Sequence, residues 1–307
     1  MVNMNSLNQN YLRNNDLFVN NIKEIYLVTG EQWLKDIPVK ISELESVWGF
    51  RVERVMPSLS YSFVALVKYQ DAKAILKMAP LEQCLEREIQ CLAGFQKDTP
   101  RIYHFDKKYN AALMEYIYPG ESLKGLVKAD QDDKATHIIC SVIRELHFQN
   151  EITYPFKHMS ELTKDLTILI GHFDKKLLDK AISLFHDLTH DRTHDILLHG
   201  DLHHDNILSS GDNWKVIDPH GYIGDPVAEV GAMIRNPYDC LPDVLPKELL
   251  SRRLSILNDE LPFDKERINA WCYCISVLSV AWTYEGFRRV TSSDVELIKV
   301  LNEVCFT

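Results

Sequence analysis

No stretch of this sequence approaches the roughly eighteen uninterrupted apolar residues that a membrane-spanning helix needs, so no transmembrane segment is expected. Basic residues are the minority: 34 Lys and Arg stand against 44 Asp and Glu, for a formal charge of −10. Nucleic-acid binding depends on Lys and Arg neutralising phosphates, and this balance argues against it. The opening, Met1 to Asn21, is rich in Asn and lacks an apolar core region, so it does not read as a secretory signal. It reads instead as a loosely ordered arm, residues 1–21, docking through Tyr11, Leu17 and Phe18. Seven cysteines are scattered without a disulfide framework, and Cys272 and Cys274 fall in an apolar run as packed thiols. That usage points to a cytoplasmic, reducing location. What is present is ample for a core: 307 residues, 46% of them apolar, a size at which a folded chain buries about 75% of its unfolded surface.

Against this background one pattern stands out. His199-Gly200-Asp201-Leu202-His203-His204-Asp205-Asn206 is followed by Ile217-Asp218-Pro219-His220-Gly221. Asp201 and Asn206 are five positions apart, and Asp218 comes twelve after Asn206. The protein-kinase signature distributes the same residue types over H-R-D-x-x-x-x-N and D-F-G. Each type has a task in phosphoryl transfer: one carboxylate accepts a hydroxyl proton, and an amide oxygen with a second carboxylate holds Mg²⁺ against ATP phosphates. The segment between them fits. Asn206-Ile207-Leu208 reads as a strand, Ser209 to Asn213 as a turn, and Trp214 to Ile217 as the return strand. Such a hairpin brings Asn206 and Asp218 together as two oxygen ligands for Mg²⁺, which keeps several waters besides. Asp201 is then the candidate base. A rival reading takes His194, His199, His203 and His204 with Asp195, Asp201 and Asp205 as a metal hydrolase, but no H-E-x-x-H layout supports it. His199 reads better as a brace for the loop.

A kinase also needs a strand lysine for the phosphates and a helical glutamate to orient it. Val64 to Tyr69 and Lys73 to Met78 read as paired strands, and Ala74-Ile75-Leu76-Lys77 takes the place of V-A-I-K. Lys77 is therefore the candidate, with Lys73 and Lys68 as alternatives. A helix is expected from Pro80, with Leu81, Cys84, Leu85, Ile89 and Leu92 on its apolar face. Of Glu82, Glu86 and Glu88, Glu88 is the chosen partner for Lys77. The loop from Met56 to Val64 contains no glycine, where a kinase has its glycine-rich loop. Ser60, Tyr61 and Ser62 are the phosphate-loop candidates, although a Cβ at each position hinders close approach.

Ala111 to Glu115 reads as a strand running into a turn at Pro119-Gly120. Placed in a kinase it leads to the adenine hinge, with backbone groups of Glu115 and Ile117 contacting the base and Met114 bordering it; placed in an ordinary protein it is a core strand. After Asp218, Gly224-Asp225-Pro226 arrives within a few residues and Val227 to Ile234 reads as an apolar helix. No room remains for an activation segment, which favours a small hydroxylated substrate over a protein. Helices are further expected over Thr136–Phe148, over Met159–Leu188 with a break near Gly171, and over Ala270–Phe287 in the core. The expected fold is α+β and bilobed, with a small β-rich N-lobe at 22–117 and a larger helical C-lobe at 118–307.

These motifs resemble the aminoglycoside phosphotransferase superfamily, and more closely the streptomycin 6-phosphotransferase group, the aminoglycoside/hydroxyurea antibiotic resistance kinases. The resemblance rests on Leu197 to Asn206, Ile217 to Pro226, Met233-Ile234-Arg235-Asn236-Pro237, Val277 to Trp282, and near the start Gly30 to Leu34 and Trp48-Gly49-Phe50. It implies a kinase-like fold and ATP-dependent phosphorylation of a hydroxyl on an aminoglycoside or similar small molecule. It implies Asp201 as base and Asn206 and Asp218 as Mg²⁺ ligands. His220 after Pro219 and the glycine-free loop depart from the pattern. An acidic protein suits a cationic acceptor, and Asp239, Asp243 and Glu285 are candidate carboxylates for its ammonium groups. Two alternatives stay open: an inactive nucleotide- or ligand-binding module of the same fold, and a small-metabolite kinase unrelated to antibiotics.

Overall fold

The computed structural model describes residues 11–13, 15–57, 59–81, 85–148 and 150–306. Contacts divide the chain into two compact units. The first takes the chain up to Ile89 together with Pro100–Tyr116; the second takes Gln90–Thr99 and everything from Ile117.

The first unit opens on helix α1 (Asp16–Trp48), broken at Leu27, whose φ of 48° is not helical, and closed by Gly49 in the left-handed region. The expected arm therefore enters a helix at Asp16. Phe18 is buried with Ile22, Trp33 and Ile37, whereas Leu17 is exposed, and Tyr11 meets Phe63 edge-on. Helical periodicity places Phe18 and Leu17 on different faces, so only one can dock. A five-stranded antiparallel sheet follows, from β1 (Phe50–Val55), β2 (Phe63–Tyr69), β3 (Ala72–Met78), β4 (Ile102–Asp106) and β5 (Ala111–Glu115), in the order β1-β2-β3-β5-β4. Gln70 and Asp71 turn the β2–β3 hairpin in positive φ. In its register Lys77 lies opposite Val64 and Ala112. Helix α2 (Leu85–Gly94) starts later than Pro80 suggests: Pro80 is buried, its carbonyl accepting from the Asn110 amide at 2.7 Å, and Leu81 is exposed in a turn. Glu82, Cys84 and Ser58 lie outside the described residues.

In the second unit, β6 (Pro119–Ser122) and the short helix α3 (Lys124–Lys128) lead to α4 (Asp132–Phe148) and β7 (Lys157–His158). The region expected as one broken helix is instead a series of short turns, including α5 (Thr163–Leu166), and then α6 (Lys175–Leu188). Gly171 in positive φ ends the turns, and the Asp174 carboxylate caps α6 by accepting from the N–H groups of Lys176 and Leu177. β8 (Ile196–Leu198) precedes the Asp201 loop, the hairpin β9 (Ile207–Ser210) and β10 (Asn213–Val216) follows it, and β11 (Tyr222–Gly224) pairs with β8 and β7.

Residues 226–235 form 3₁₀ turns rather than the expected α-helix. The buried Arg253 closes the segment, its Nη1 donating to the carbonyls of Met233, Ile234 and Asn236 at and beyond its end, where a helix leaves carbonyls without a partner of its own. Asn236 also precedes Pro237, which disfavours helical backbone before it. Arg253 comes from α7 (Lys247–Glu260) and is paired twice with Asp132, by Nε at 3.0 Å and by Nη2 at 2.5 Å. The apolar α8 (Lys265–Phe287) runs through the core of this unit as expected, with Trp271 and Tyr273 fully buried, and α9 (Ser292–Phe306) packs beside it. Among the described residues no helix is long and apolar enough to cross a membrane.

Candidate active site

In the first unit the Lys77 ammonium donates to both Glu88 oxygens, at 2.8 and 2.7 Å, and both side chains are buried. β3 supplies the lysine and α2 the glutamate, so an ion pair joins sheet to helix. Of the alternatives, Lys73 sits over the Tyr116 ring and Lys68 pairs with the exposed Asp71. Glu86 pairs with Lys107. In the expected phosphate loop the Ser60 carbonyl accepts from the Asn21 amide, Tyr61 is exposed and Ser62 is buried. Met114 packs with Leu85, Ile89 and Ala112, and Ile117 is buried. The Glu115 amide donates to the Arg101 carbonyl at 2.8 Å, and its carboxylate accepts from the Arg101 amide.

In the second unit a closed ring of hydrogen bonds holds the Asp201 loop. The Asp201 N–H donates to His199 Nδ1 at 3.3 Å, and His199 Nε2 donates to the Ile217 carbonyl at 2.9 Å. The Ile217 N–H donates to the Asn206 carbonyl at 3.0 Å, and the Asn206 amide donates back to the Asp201 carbonyl at 3.0 Å. His199 is thus the brace expected from the sequence, and its burial pushes the imidazole below its ordinary value. The ring extends the β9–β10 ladder, in which Val216 faces Ile207, and so sets Asp218 directly after a residue bonded to Asn206. Asp218 takes a positive φ of 59°. Because the Asn206 nitrogen is committed to Asp201, its oxygen is the atom left for a cation. Gly200 needs its glycine: φ is +78°, and a Cβ would sit 2.7 Å from the Tyr222 ring.

Asp201 itself is surrounded by imidazoles. His203 Nε2 lies 3.5 Å and His220 Nε2 3.9 Å from its Oδ2. Burial pushes the Asp201 carboxyl up, but His203, His220 and His199 outweigh it and leave the group below its ordinary value. The unusual His220 therefore faces the candidate base, wedged edge-on against Tyr222 and Trp282.

Two supports were not foreseen from the sequence. Glu229, fully buried, accepts the N–H groups of His199 at 2.8 Å and Gly200 at 3.0 Å. Asp225 accepts from the Trp271 indole, Arg267 and the Val227 N–H, fixing the chain after β11 to α8. The signal for Glu229 was a lone acid inside Val227-Ala228-Glu229-Val230, since a buried carboxylate needs partners. Among the acceptor candidates, Asp239 already faces an ammonium, that of Lys124, which also reaches Asp205 at 3.3 Å. That hydrogen bond from Lys124 holds the Asp239 carboxyl below its ordinary value. Asp243 and Glu285 are exposed. Among the described residues no group of three His, Cys, Asp or Glu is arranged as a metal cluster.

An antiparallel sheet carrying a Lys–Glu pair and a helical unit carrying an Asp–Asn–Asp hairpin define the protein-kinase-like class. Solved structures agree on the fold. Choline kinase LicA from Streptococcus pneumoniae superposes with a TM-score of 0.61 at 15% identity, covering 87% of this chain and 97% of that one. Aminoglycoside phosphotransferase APH(4)-Ia gives 0.59 at 12% identity, covering 86% and 97%. A sequence model of the aminoglycoside/hydroxyurea antibiotic resistance kinases matches residues 49–286, and the chain belongs to that family. Streptomycin 3''-kinase from Klebsiella pneumoniae is 31% identical over 229 residues, which span 72% of this chain and 84% of that protein. The chain is accordingly a phosphotransferase with a hydroxyl group as acceptor.

The buried ion pair yields a first expectation. Lys77→Met removes the Lys77–Glu88 ion pair and the ammonium expected to meet phosphates. The apparent KM for ATP should rise roughly tenfold or more, consistent with a lost charge-assisted contact of about 1.5–3 kcal/mol. Steady-state kinetics over a range of ATP concentrations test this; an unchanged KM and kcat would remove Lys77 from the site.

Proposed function

We propose that this protein transfers the γ-phosphoryl group of Mg–ATP to a hydroxyl of a cationic, aminoglycoside-like acceptor, with streptomycin-type compounds as the first candidates. The observation that carries the reading is the hydrogen-bonded ring joining Asp201, His199, Ile217 and Asn206. Family membership and the likeness to a streptomycin 3''-kinase support the acceptor class.

The donor set fits the ion. Asn206 offers an amide oxygen and Asp218 a carboxylate, both hard oxygen ligands of the kind Mg²⁺ takes alongside phosphate and water. Mg–ATP supplies the phosphoryl group and the ion offsets its charge. The rest is done by this chain. Asp201, held ionised by its imidazole neighbours, accepts the hydroxyl proton as the acceptor oxygen bonds to phosphorus and ADP leaves. Lys77, oriented by Glu88, holds phosphate oxygens, and the backbone of Glu115 and Ile117 beside Met114 receives the base. Ser60, Tyr61 and Ser62 offer hydroxyl and amide donors to phosphate in place of glycine amides. Asp243 and Glu285 supply negative charge for a cationic acceptor, whereas Asp239 is paired with Lys124. The side chains of Cys140, Cys272, Cys274 and Cys305 are buried thiols, which suits a reducing cytoplasm.

The test is mass spectrometry of acceptors after incubation with Mg–ATP: a panel of aminoglycosides, hydroxyurea and small polyols, with Asp201→Asn as control. A phosphorylated aminoglycoside formed only by the wild type is expected. Phosphorylation confined to polyols would move the protein to metabolite chemistry. Thermal stabilisation by Mg–ATP with no product from any acceptor would favour a binding module.

A further inference from the structure

A cavity of about 480 Å³, with none of the candidate site residues in its lining, lies within the second unit between α4, the turn of the β9–β10 hairpin and the loop at 96–99. Sites for small organic molecules span roughly 300–1,000 Å³, with an apolar lining and a few placed polar groups. This cavity has that size, but its lining is mixed, with polar and charged residues outnumbering apolar ones. Ile138, Val142 and the half-buried Trp214 give it apolar walls. Its charged groups are mostly acidic: Asp98, Glu145 and Asp212 against Lys97 alone. Lys97 is already engaged, 2.7 Å from Glu145 and 3.6 Å from Asp98. That ion pair holds the lysine above and the glutamate below their ordinary values. Asp212, by contrast, has no ion-pair partner among the described residues and is exposed beside Trp214.

The walls are fixed rather than incidental. The Val216 N–H donates to the Asp98 carbonyl at 2.8 Å, tying the loop to the hairpin. Gln96 and Asp98 both take φ of 58°, a conformation uncommon for glutamine though tolerated by aspartate. An indole lining the same cavity as three carboxylates and a single lysine is an arrangement that attracts a flat cation, through the ring quadrupole and the net negative charge together.

We propose that this cavity is a second binding site, separate from the phosphoryl-transfer site, for a compact planar organic cation of the amidinium or guanidinium type, stacked on Trp214 and paired with Asp212 and Asp98. The probe is benzamidine, with benzamide as its neutral isostere. The indole N–H resonances of the full chain, labelled with ¹⁵N-tryptophan, report on five positions, and Trp214→Phe identifies the one that matters. Benzamidine should shift the Trp214 resonance saturably and benzamide should not. The double variant Asp98→Asn/Asp212→Asn should weaken benzamidine binding about fivefold or more, the scale of exposed cation–π and charge contacts combined. It should fold normally, because Asp212 is exposed and asparagine tolerates the positive φ of position 98. A Trp214 resonance unmoved by benzamidine, an equal response to benzamide, or unchanged affinity in the double variant would each overturn the proposal.

Discussion

Asp201→Asn should abolish turnover while leaving the fold and nucleotide binding intact. The substitution preserves shape and the backbone contacts of position 201, because the ring uses the Asp201 N–H and carbonyl rather than its carboxylate. What it removes is the proposed proton acceptor. A positioned general base contributes about 10²–10⁴-fold, and a loss in kcat of that order is expected. Melting temperature and Mg–ATP stabilisation should stay close to wild type, which separates a lost base from a damaged loop. The wild-type pH profile gives a second reading of the same group. A base works deprotonated, hence above its pKa, and the imidazoles around Asp201 hold that pKa below the ordinary 3.8. The acidic limb that Asp201 contributes to kcat/KM should therefore fall below the usual carboxylate range. Turnover unchanged in the variant would sink the assignment, and so would a base limb raised above ordinary carboxylates.

The parts of this site that were legible in the sequence are those whose chemistry is local. Asp201, Asn206 and Asp218 stand within eighteen positions, joined by a hairpin that Gly211 and the polar residues around it announce. Lys77 was legible because a two-residue turn fixes the β2–β3 register and period-two alternation fixes its face. The antiparallel sheet and the apolar core helix followed from the same periodicities. The supports were not legible, because each spans a distance no local pattern encodes. Arg253 meets Asp132 across 121 positions, and Glu229 meets His199 across 30. Val227 to Ile234 has helical composition, yet it folds as 3₁₀ turns whose closing carbonyls are met by Arg253 from a distant helix. Likewise Asp239 reads as a free surface carboxylate until the fold brings Lys124 to it.

Glu229 carries the second large effect, and it tests whether the Asp201 loop is held from beneath. Its carboxylate accepts two consecutive backbone N–H groups, of His199 and Gly200, just before the candidate base. The His199 donor is buried and the Gly200 donor partly so, which leaves little solvent to take the place of the glutamate. Glu229→Ala leaves both unpaired, and breaking a buried charged network from one side costs about 3–5 kcal/mol. Glu229→Gln keeps one acceptor oxygen but turns a donor toward the second N–H, so it should fall between alanine and wild type. Because Glu229 acts through the loop, kcat should drop in the glutamine variant while the KM for ATP barely moves. A merely structural residue would lower stability without that split. The pH dependence supplies an independent check. Burial raises the Glu229 carboxyl, but His147, His199 and the Gly200 N–H outweigh it and hold it below its ordinary value of 4.5. A depressed folded pKa means that the stabilisation is fully present above about pH 4.5 and fades as pH falls through the lower folded value. Urea unfolding of the wild type should weaken across that window, and the glutamine variant should lose this component of the slope. If Glu229→Ala melts with the wild type and turns over normally, the loop is held by the His199 ring alone.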